Sequence, residues 1–470
     1  RPPRRHAPPL QRIPGWASLR PFVGAWLKRR VALKADSEHY PAPFMLVDHW
    51  RRHANQPVAM YDGEMHDVAR LLNGRTGRNL VRVFMLQEML KGQVAAPFTG
   101  QRVHVIGGGV MGGDIAAWCA LRGLRVTLQD RTAEQLGPAF ERAHALFARR
   151  LKEPHRVRAA MDRLVPDLEG RAVSRADVVI EAIFEDAAVK QALFRELEPR
   201  LGESALLATN TSSIPLEMLG EGLKDPRRLV GLHFFNPVAR MPLVEVVCTA
   251  ETRADMRERA LGFARRIDKL PLVVKSSPGF LVNRILVPYL LEAVAMVNEG
   301  LPAPLVDKAA VTFGMPVGPV ELADRVGLDI CLAVAEKLAA PLDIEVPGQL
   351  RKKVDARELG RKSGQGFYPW RNGRARKPDV RQPDVNLQTL QDRLILRMLN
   401  EALGCWRDGI VESQDQLDAG VIFGTGFAPF RGGPLHYVRQ AGLMGIRDRL
   451  NELESRFGVR FSPDPGWGAL

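Results

Sequence analysis

At 470 residues the chain is too long for one hydrophobic core and predicts roughly two to four domains. Hydrophobic residues make up 46% and charged residues 26%, the balance of an ordinary globular protein, and no apolar run reaches the roughly 18 residues of a membrane-spanning helix. The four cysteines (Cys119, Cys248, Cys331, Cys405) are far apart with no C-x-x-C, which argues against a disulfide frame or zinc site. They fit a reducing compartment: the cytoplasm, or a mitochondrial matrix or peroxisome, with no targeting signal visible.

The net charge of +14 is uneven, with nine basic residues and no acid before Asp36. The chain starts with Arg1 and is expected to be a fragment or a processed product. Interleaved prolines (Pro2, Pro3, Pro8, Pro9, Pro14, Pro21) make this arm an extended linker running into a helix. It is not read as a nucleic-acid-binding arm, and no nucleic-acid partner is expected. From Tyr40 to Lys91 the spacing is helical, with Val81, Phe84, Met85 and Met89 on one face. Residues 1–99 are taken as a Pro/Arg-rich and helical linker region.

Next, Val103-His-Val-Ile106 reads as a strand breaking into Gly107-Gly108-Gly109-Val110-Met111-Gly112 and then a helix. Asp130 follows the next strand, 18 residues past Gly112. Gly107 permits a tight turn, Gly109 lets backbone approach a pyrophosphate, and Gly112 lets helix and strand pack closely. The pyrophosphate would sit on free N–H groups at the helix start. An acid at Asp130 accepts hydrogen bonds from ribose hydroxyls and repels a 2′-phosphate, so NAD is favoured over NADP. Further strand candidates are Val126–Leu128, Val178–Ile180, Leu206–Thr209, Leu229–Leu232, Leu243–Val247 and Leu272–Val274. Their alternation with helical stretches predicts a parallel, doubly wound sheet over 100–277.

The remainder predicts two related all-helical units, 278–374 and 375–470. Arg284…Glu292-Ala293…Glu299-Gly300 recurs as Arg393…Glu401-Ala402…Asp408-Gly409. Phe313-Gly314 is matched to Phe423-Gly424, Gly318-Pro319 to Gly433-Pro434, and Gly327-Leu328 to Gly442-Leu443. Such units can pack on each other as two subunits of a dimer would. Gly360 to Tyr368 reads as a connecting loop.

Several segments could do chemistry. His233 follows a predicted strand, and Glu245, 12 residues on, sits in an apolar strand where a carboxylate is costly without a partner. A histidine backed by a carboxylate suits proton abstraction from an alcohol. On spacing alone, a core histidine and a strand-end glutamate serve equally well. Thr209-Asn210-Thr211-Ser212-Ser213 ends a strand with small hydrogen-bonding groups, where such folds bind ligands, or forms a turn with a helix cap. Asn283 follows Pro278-Gly-Phe and would face the cofactor, or be a buried structural amide. Its counterpart in the repeat is Asp392, so the first unit is taken as active and the second as structural. The basic stretch Arg142–Arg163 is a solvated helix face or a docking surface for a phosphate-bearing substrate such as coenzyme A.

Together, Gly107–Gly112, Glu181-Ala-Ile-Phe-Glu185, Asn210–Ser213, His233-Phe-Phe-Asn-Pro237 through Glu245 and Pro278–Asn283 resemble the L-3-hydroxyacyl-CoA dehydrogenase family. The resemblance covers about residues 100–470. The duplicated helical unit resembles the multifunctional fatty-acid β-oxidation enzymes, where an enoyl-CoA hydratase domain precedes the dehydrogenase. The resemblance implies NAD-dependent oxidation of (S)-3-hydroxyacyl-CoA to 3-ketoacyl-CoA. In it His233 would be the general base and Glu245 would orient it. Ser212 and Asn283 would hold the substrate oxygen. It implies cofactor contacts by Gly107, Gly109, Met111, Gly112, Asp130, Glu181 (near the nicotinamide ribose), Asn210 and Asn236, and no metal. A thiolase subunit and a hydratase domain in a longer parent are the implied partners. No hydratase domain is found in these residues, so hydration and isomerisation are not expected of this chain. Arg240 and Pro242 flank Met241 where an uncharged residue and then a lysine are expected, which bears on CoA contacts. Alternatives are another β-hydroxyacid dehydrogenase, or a non-catalytic NAD-binding scaffold that should have lost a member of the His233–Glu245 pair.

Overall fold

The computed structural model describes residues 16–379 and 385–470; the first 15 residues of the Pro/Arg-rich arm lie outside them. Two compact units form: residues 16–85 with 428–432, and residues 86–427 with 433–470.

The first unit contains helices α1 (Arg20–Ala32), α2 (Ala42–His53), α3 (Pro57–Asn73) and most of α4 (Arg75–Gly92). A proline opens each of α2 and α3, where its missing N–H is one of the helix-start orphans. The segment 428–432 is held by Asn79, whose Nδ2 donates to Phe430 O at 2.8 Å, and by the His39 ring stacked on Phe430 at 4.2 Å. The expected apolar face of α4 is not the buried one: Val81, Phe84 and Met85 are exposed, and Asn79, Leu86 and Leu90 are buried. Spacing identified the helix, but neighbours chose its inner face.

The second unit is built on an eight-stranded sheet, β1 (Arg102–Ile106), β2 (Arg125–Gln129), β3 (Leu164–Pro166), β4 (Val178–Glu181), β5 (Leu206–Thr209), β6 (Leu229–Phe234), β7 (Leu243–Cys248) and β8 (Leu270–Lys275). Its order is β3-β2-β1-β4-β5-β6-β7-β8. Helices α5 (Val110–Leu121), α6 (Ala133–Leu151), α7 (Pro154–Met161), α8 (Ala187–Leu197), α9 (Leu216–Gly220) and α10 (Ala254–Arg266) connect the strands. The central strands β4, β5 and β6 are buried throughout, as strands covered on both faces must be. The first six strands follow the doubly wound order, with the crossover reversing beside β1.

Two expectations are corrected. The sheet is not wholly parallel: β7 runs antiparallel to β6, and β8 is parallel to β7. Strand β3 was missed, since three residues ending in Pro166 carry too little period to read.

The C-terminal helices confirm the repeat and its dimer-like packing. They are α11 (Val282–Asn298), α12 (Ala303–Phe313), α13 (Pro319–Val326), α14 (Leu328–Leu342) and α15 (Gly348–Asp355), then α16 (Leu387–Arg407), α17 (Gln414–Thr425), α18 (Pro434–Ala441) and α19 (Leu443–Phe457). Arg284 Nε and Nη2 donate to Glu401 (2.8 Å) and Asp408 (2.7 Å) of the second unit. Reciprocally, Arg393 donates to Glu292 (2.7 Å) and Glu299 (2.6 and 2.7 Å) of the first. This exchange of equivalent partners is the mark of an isologous contact, here inside one chain. Asp307 caps α13 through Val320 N–H at 2.9 Å, and Asp418 caps α18 through Leu435 N–H at 2.8 Å. The pairings Gly318 with Gly433 and Gly327 with Gly442 hold, each pair sitting at the same helix boundaries. The match of Gly314 to Gly424 does not: Gly314 is the left-handed residue ending α12, and Gly426 plays that part after α17.

The first helical repeat, 278–374, is also not all-helical. It carries a hairpin of β9 (Trp370–Arg371) and β10 (Arg374–Ala375), and the expected connecting loop is a folded cap. Asp324 anchors that cap, accepting from Phe367 N–H, Tyr368 N–H and Trp370 Nε1, each at 2.9 Å. Among the described residues no helix is long and apolar enough to cross a membrane.

Candidate active site

The candidate residues gather beyond the C-terminal ends of β1, β4, β5 and β6, where open α/β sheets bind ligands. The antiparallel turn of β7 does the main work. In its register His233 lies directly opposite Glu245. Nδ1 of His233 is 2.6 Å from Glu245 Oε2, both groups being buried. The other carboxylate oxygen, Oε1, accepts from the N–H groups of Leu281 (3.0 Å) and Val282 (2.9 Å) at the start of α11. Glu245 thus orients the histidine and supplies the acceptor that helix starts need, with the helix dipole favouring its charge. Sequence reading had predicted the pairing with His233 but not the capping of the helix that carries Asn283. The imidazole packs edge-on against Phe235 and Phe280, with centroids 4.6 and 5.6 Å away, and with Nδ1 on Glu245 its Nε2 is the nitrogen left for chemistry.

Asn283, in the first turn of α11, donates from Nδ2 to Ser212 O at 3.3 Å, so these two candidates meet. Asn210 is spent on geometry, its Oδ1 accepting from Phe234 N–H at 2.9 Å and so tying the β5 loop to the residue after His233. Asn236 is exposed in the β6–β7 connection and precedes Pro237 through a cis peptide bond.

Glu181 is fully buried. Its carboxylate meets Lys190 Nζ (2.5 Å), Thr209 Oγ1 (2.5 Å) and Ile183 N–H (2.8 Å). These partners give it a structural task, tying β4 to β5 and α8. Glu185, four residues further on, is a site residue that sequence reading did not single out. Its Oε1 accepts from Thr211 Oγ1 (2.6 Å), Ser212 N–H (2.9 Å) and Ser213 N–H (3.2 Å), organising the whole Asn210–Ser213 loop. Burial opposes its ionisation, but Lys190, 3.4 Å away, and these hydrogen bonds hold it below the usual carboxylate range. The three hydroxyls of Thr211, Ser212 and Ser213 meet this acid in space but lie 26 to 28 residues from it in sequence, which hides the pairing.

The dinucleotide loop is built as expected. Gly107 has φ +109°, and a Cβ on Gly112 would lie 1.9 Å from Gly107 O. A Cβ on Gly109 would meet nothing within 4 Å, and no side chain caps α5 at that residue. That open space at an uncapped helix start fits a pyrophosphate. Met111 lies half-buried in the first turn of α5. Asp130 Oδ2 accepts from Gly108 N–H at 2.6 Å, bracing the loop from the next strand. The two glycines should therefore separate. Gly112→Ala is expected to lower both Tm and NADH affinity, the latter about tenfold or more, because the clash is with backbone. Gly109→Ala should keep its Tm and lose NADH affinity alone, as fluorescence titration and thermal melts would show.

In the basic stretch, Arg142 donates to Gly109 O (3.0 Å), Arg150 to Ala239 O (2.8 Å) and Arg163 to Ala120 O (2.9 Å), so these are held by the fold. Asp392, the counterpart of Asn283, pairs with Arg449 at 2.8 Å.

Residues 102–277 match the family model described as 3-hydroxyacyl-CoA dehydrogenase, NAD binding domain, and residues 279–370 match its C-terminal domain. A fatty acid oxidation complex subunit alpha from Shewanella baltica is 34% identical over 453 residues, covering 92% of this chain and 64% of the relative. The chain thus spans under two thirds of the length of that relative. A solved 3-hydroxybutyryl-CoA dehydrogenase from Escherichia coli K12 superposes with TM-score 0.71 at 28% identity, covering 79% of this chain and 98% of its own. The (S)-3-hydroxybutyryl-CoA dehydrogenase of Ralstonia eutropha is 31% identical with TM-score 0.55, covering 58% of this chain and 100% of its own. The dehydrogenase part of multifunctional enzyme 1 from C. elegans gives TM-score 0.60 at 25% identity, covering 84% and 99%.

Proposed function

Because the chain belongs to the 3-hydroxyacyl-CoA dehydrogenase family, we propose that it oxidises (S)-3-hydroxyacyl-CoA to 3-ketoacyl-CoA with NAD as its cofactor. One observation carries the chemical reading: His233 and Glu245 face each other at 2.6 Å, beside a glycine loop with room for a pyrophosphate. The chemistry that bound NAD supplies is acceptance of the hydride from C3.

The chain's own residues do the rest. His233 Nε2 takes the 3-hydroxyl proton. Glu245 holds the proton on Nδ1 and balances the imidazolium that forms. Ser212 and Asn283 hold the substrate oxygen, and Phe235 and Phe280 keep water from the imidazole. We assign residues 100–277 to cofactor binding, 278–374 to completing the site and 375–470 to supporting it, after a linker region at 1–99. A thiolase subunit, and a hydratase domain in a longer parent, are the partners we propose, since a 3-ketoacyl-CoA product requires a thiolytic next step. The thiols, three buried and Cys331 half-buried, suit a reducing compartment such as the cytoplasm.

The test is loss of NADH absorbance with acetoacetyl-CoA and with longer 3-ketoacyl-CoA substrates. Binding of NADH without turnover on any of them would overturn the reading. The same assay tests the basic surface. Arg149 is exposed, and Arg149→Glu should raise KM for acyl-CoA about two- to fivefold and leave KM for NADH unchanged, an effect that shrinks at high salt. An unchanged acyl-CoA KM sinks the docking role.

A further inference from the structure

The two dyad strands are joined by residues 235–242, and that connection is held from below by a buried lysine. Lys269, just before β8, is 3% exposed. Its Nζ donates to Val238 O and, at 2.6 Å, to Met241 O. It also lies 4.4 Å from the centre of the Trp118 ring on α5, the helix that opens at the dinucleotide loop. Three N–H bonds therefore serve two carbonyls and a π face. The adjacent Asp268 is ion-paired with Arg122 and acts on this ammonium through space, offsetting part of its burial. A buried charge of this kind is costly and is kept only where its hydrogen bonds matter.

We propose that the Lys269 ammonium is a positioning group for the dyad, clamping the connection between β6 and β7 so that His233 stays opposite Glu245; this rests on the dehydrogenase reading above. Lys269 touches neither member of the dyad and acts through the loop. A neutral amine has one N–H fewer and no cation for the ring, so deprotonation loosens the clamp.

The charged and titratable groups around it are Cys119 and Arg122 from α5, Arg150 from α6, Arg265 from α10, Asp268 beside it, and Arg240 in the loop. Burial, helped by Arg122, pulls the lysine down to about 8. Cys119 is pushed up by burial to about 12 and stays neutral over the same range. The folded state thus favours the neutral amine, so this group's contribution to stability rises with pH above about 8, while clamping is lost over the same window. Melting temperature and loop order should move apart.

The experiment pairs kinetics with hydrogen exchange on the intact protein. In wild type, kcat/KM for oxidation of (S)-3-hydroxybutyryl-CoA, where His233 acts as base, should fall above about pH 8. Lys269→Met should be on the order of tenfold slower at neutral pH with that alkaline limb gone, and Lys269→Arg should restore rate with the limb moved beyond the range. In wild type, amides of 235–242, corrected for intrinsic base catalysis, should exchange faster at pH 9 than at pH 7 relative to β4. In Lys269→Met they should be fast at both. Wild-type exchange that stays flat with pH overturns the clamp even if Lys269→Met does not fold. A Lys269→Met enzyme with wild-type loop exchange and an intact limb overturns it as well. An inactive wild type would sink the dehydrogenase reading while the exchange data still decide the clamp.

Discussion

Glu245→Gln is expected to lower kcat by about 10²- to 10⁴-fold and to leave NADH binding unchanged. The substitution is nearly isosteric, and the amide oxygen still accepts from Leu281 and Val282 N–H, so α11 keeps its cap. The damage falls on the histidine. An amide N–H₂ now faces Nδ1 of His233 and can only donate to it, which places the imidazole proton on Nε2. A histidine carrying its proton there cannot take another from the hydroxyl. His233→Ala should fall by a similar factor, and the double variant no further than the worse single one, because the two act as a unit. NAD reduction with (S)-3-hydroxybutyryl-CoA, the direction in which His233 acts as base, and NADH titration separate turnover from binding. A Glu245→Gln enzyme within a few-fold of wild type would show that the carboxylate serves α11 alone.

Arg393→Met is expected to cost about 3 kcal/mol of stability with little change in kcat, whereas Arg284→Met should cost stability and kcat together. Arg393 is 2% exposed and answers two acids of the opposite helical unit; removing it leaves Glu292, itself buried, to Arg460 at 2.8 Å and the more distant charge of Arg397. Arg284 sits in the mirror-related network with Glu401 and Asp408, but its chain neighbour is Asn283, whose amide must meet Ser212. Loosening the first network disturbs only the helical pair; loosening the second moves a residue of the site. Urea unfolding followed by circular dichroism gives the stability change, and the NADH assay gives kcat. Arg393→Met with Glu292→Leu should recover much of the loss, since an apolar pair can replace a buried ion pair. A single Arg393 variant as stable as wild type would mean that the reciprocal bridges are incidental to the packing.

What was legible in the sequence rests on local rules. Gly107, Gly109 and Gly112 are required by backbone geometry within one turn, and the structure has them at a left-handed φ, an open approach and a 1.9 Å close contact. Strands β4 to β7 announce themselves because strands buried on both faces are near-continuous apolar runs, and β2 by its alternation, though Leu229–Leu232 extends to Phe234 and so takes in His233. The repeat was readable because Arg284 and Arg393 keep fixed distances to their acids along each helix. What was not legible is which acid each arginine meets: the partners lie across the repeat, 94 to 124 residues away, and only packing of the two units decides it.

Strand direction was hidden for the same reason. The hydrophobic pattern of Leu243–Cys248 reads alike in either sense, and alternation with helices argued for parallel. The short connection after Phe234 has no crossover helix, so β7 turns back along β6, and that reversal alone sets position 245 opposite 233. The residue types of the site were therefore determined by the sequence. Their meeting, the capping of α11 by Glu245, the bracing of Asn210–Ser213 by Glu185 and the seating of Lys269 under the loop were decided by tertiary structure. Buried charges settle where distant segments supply the partners that offset their loss of water.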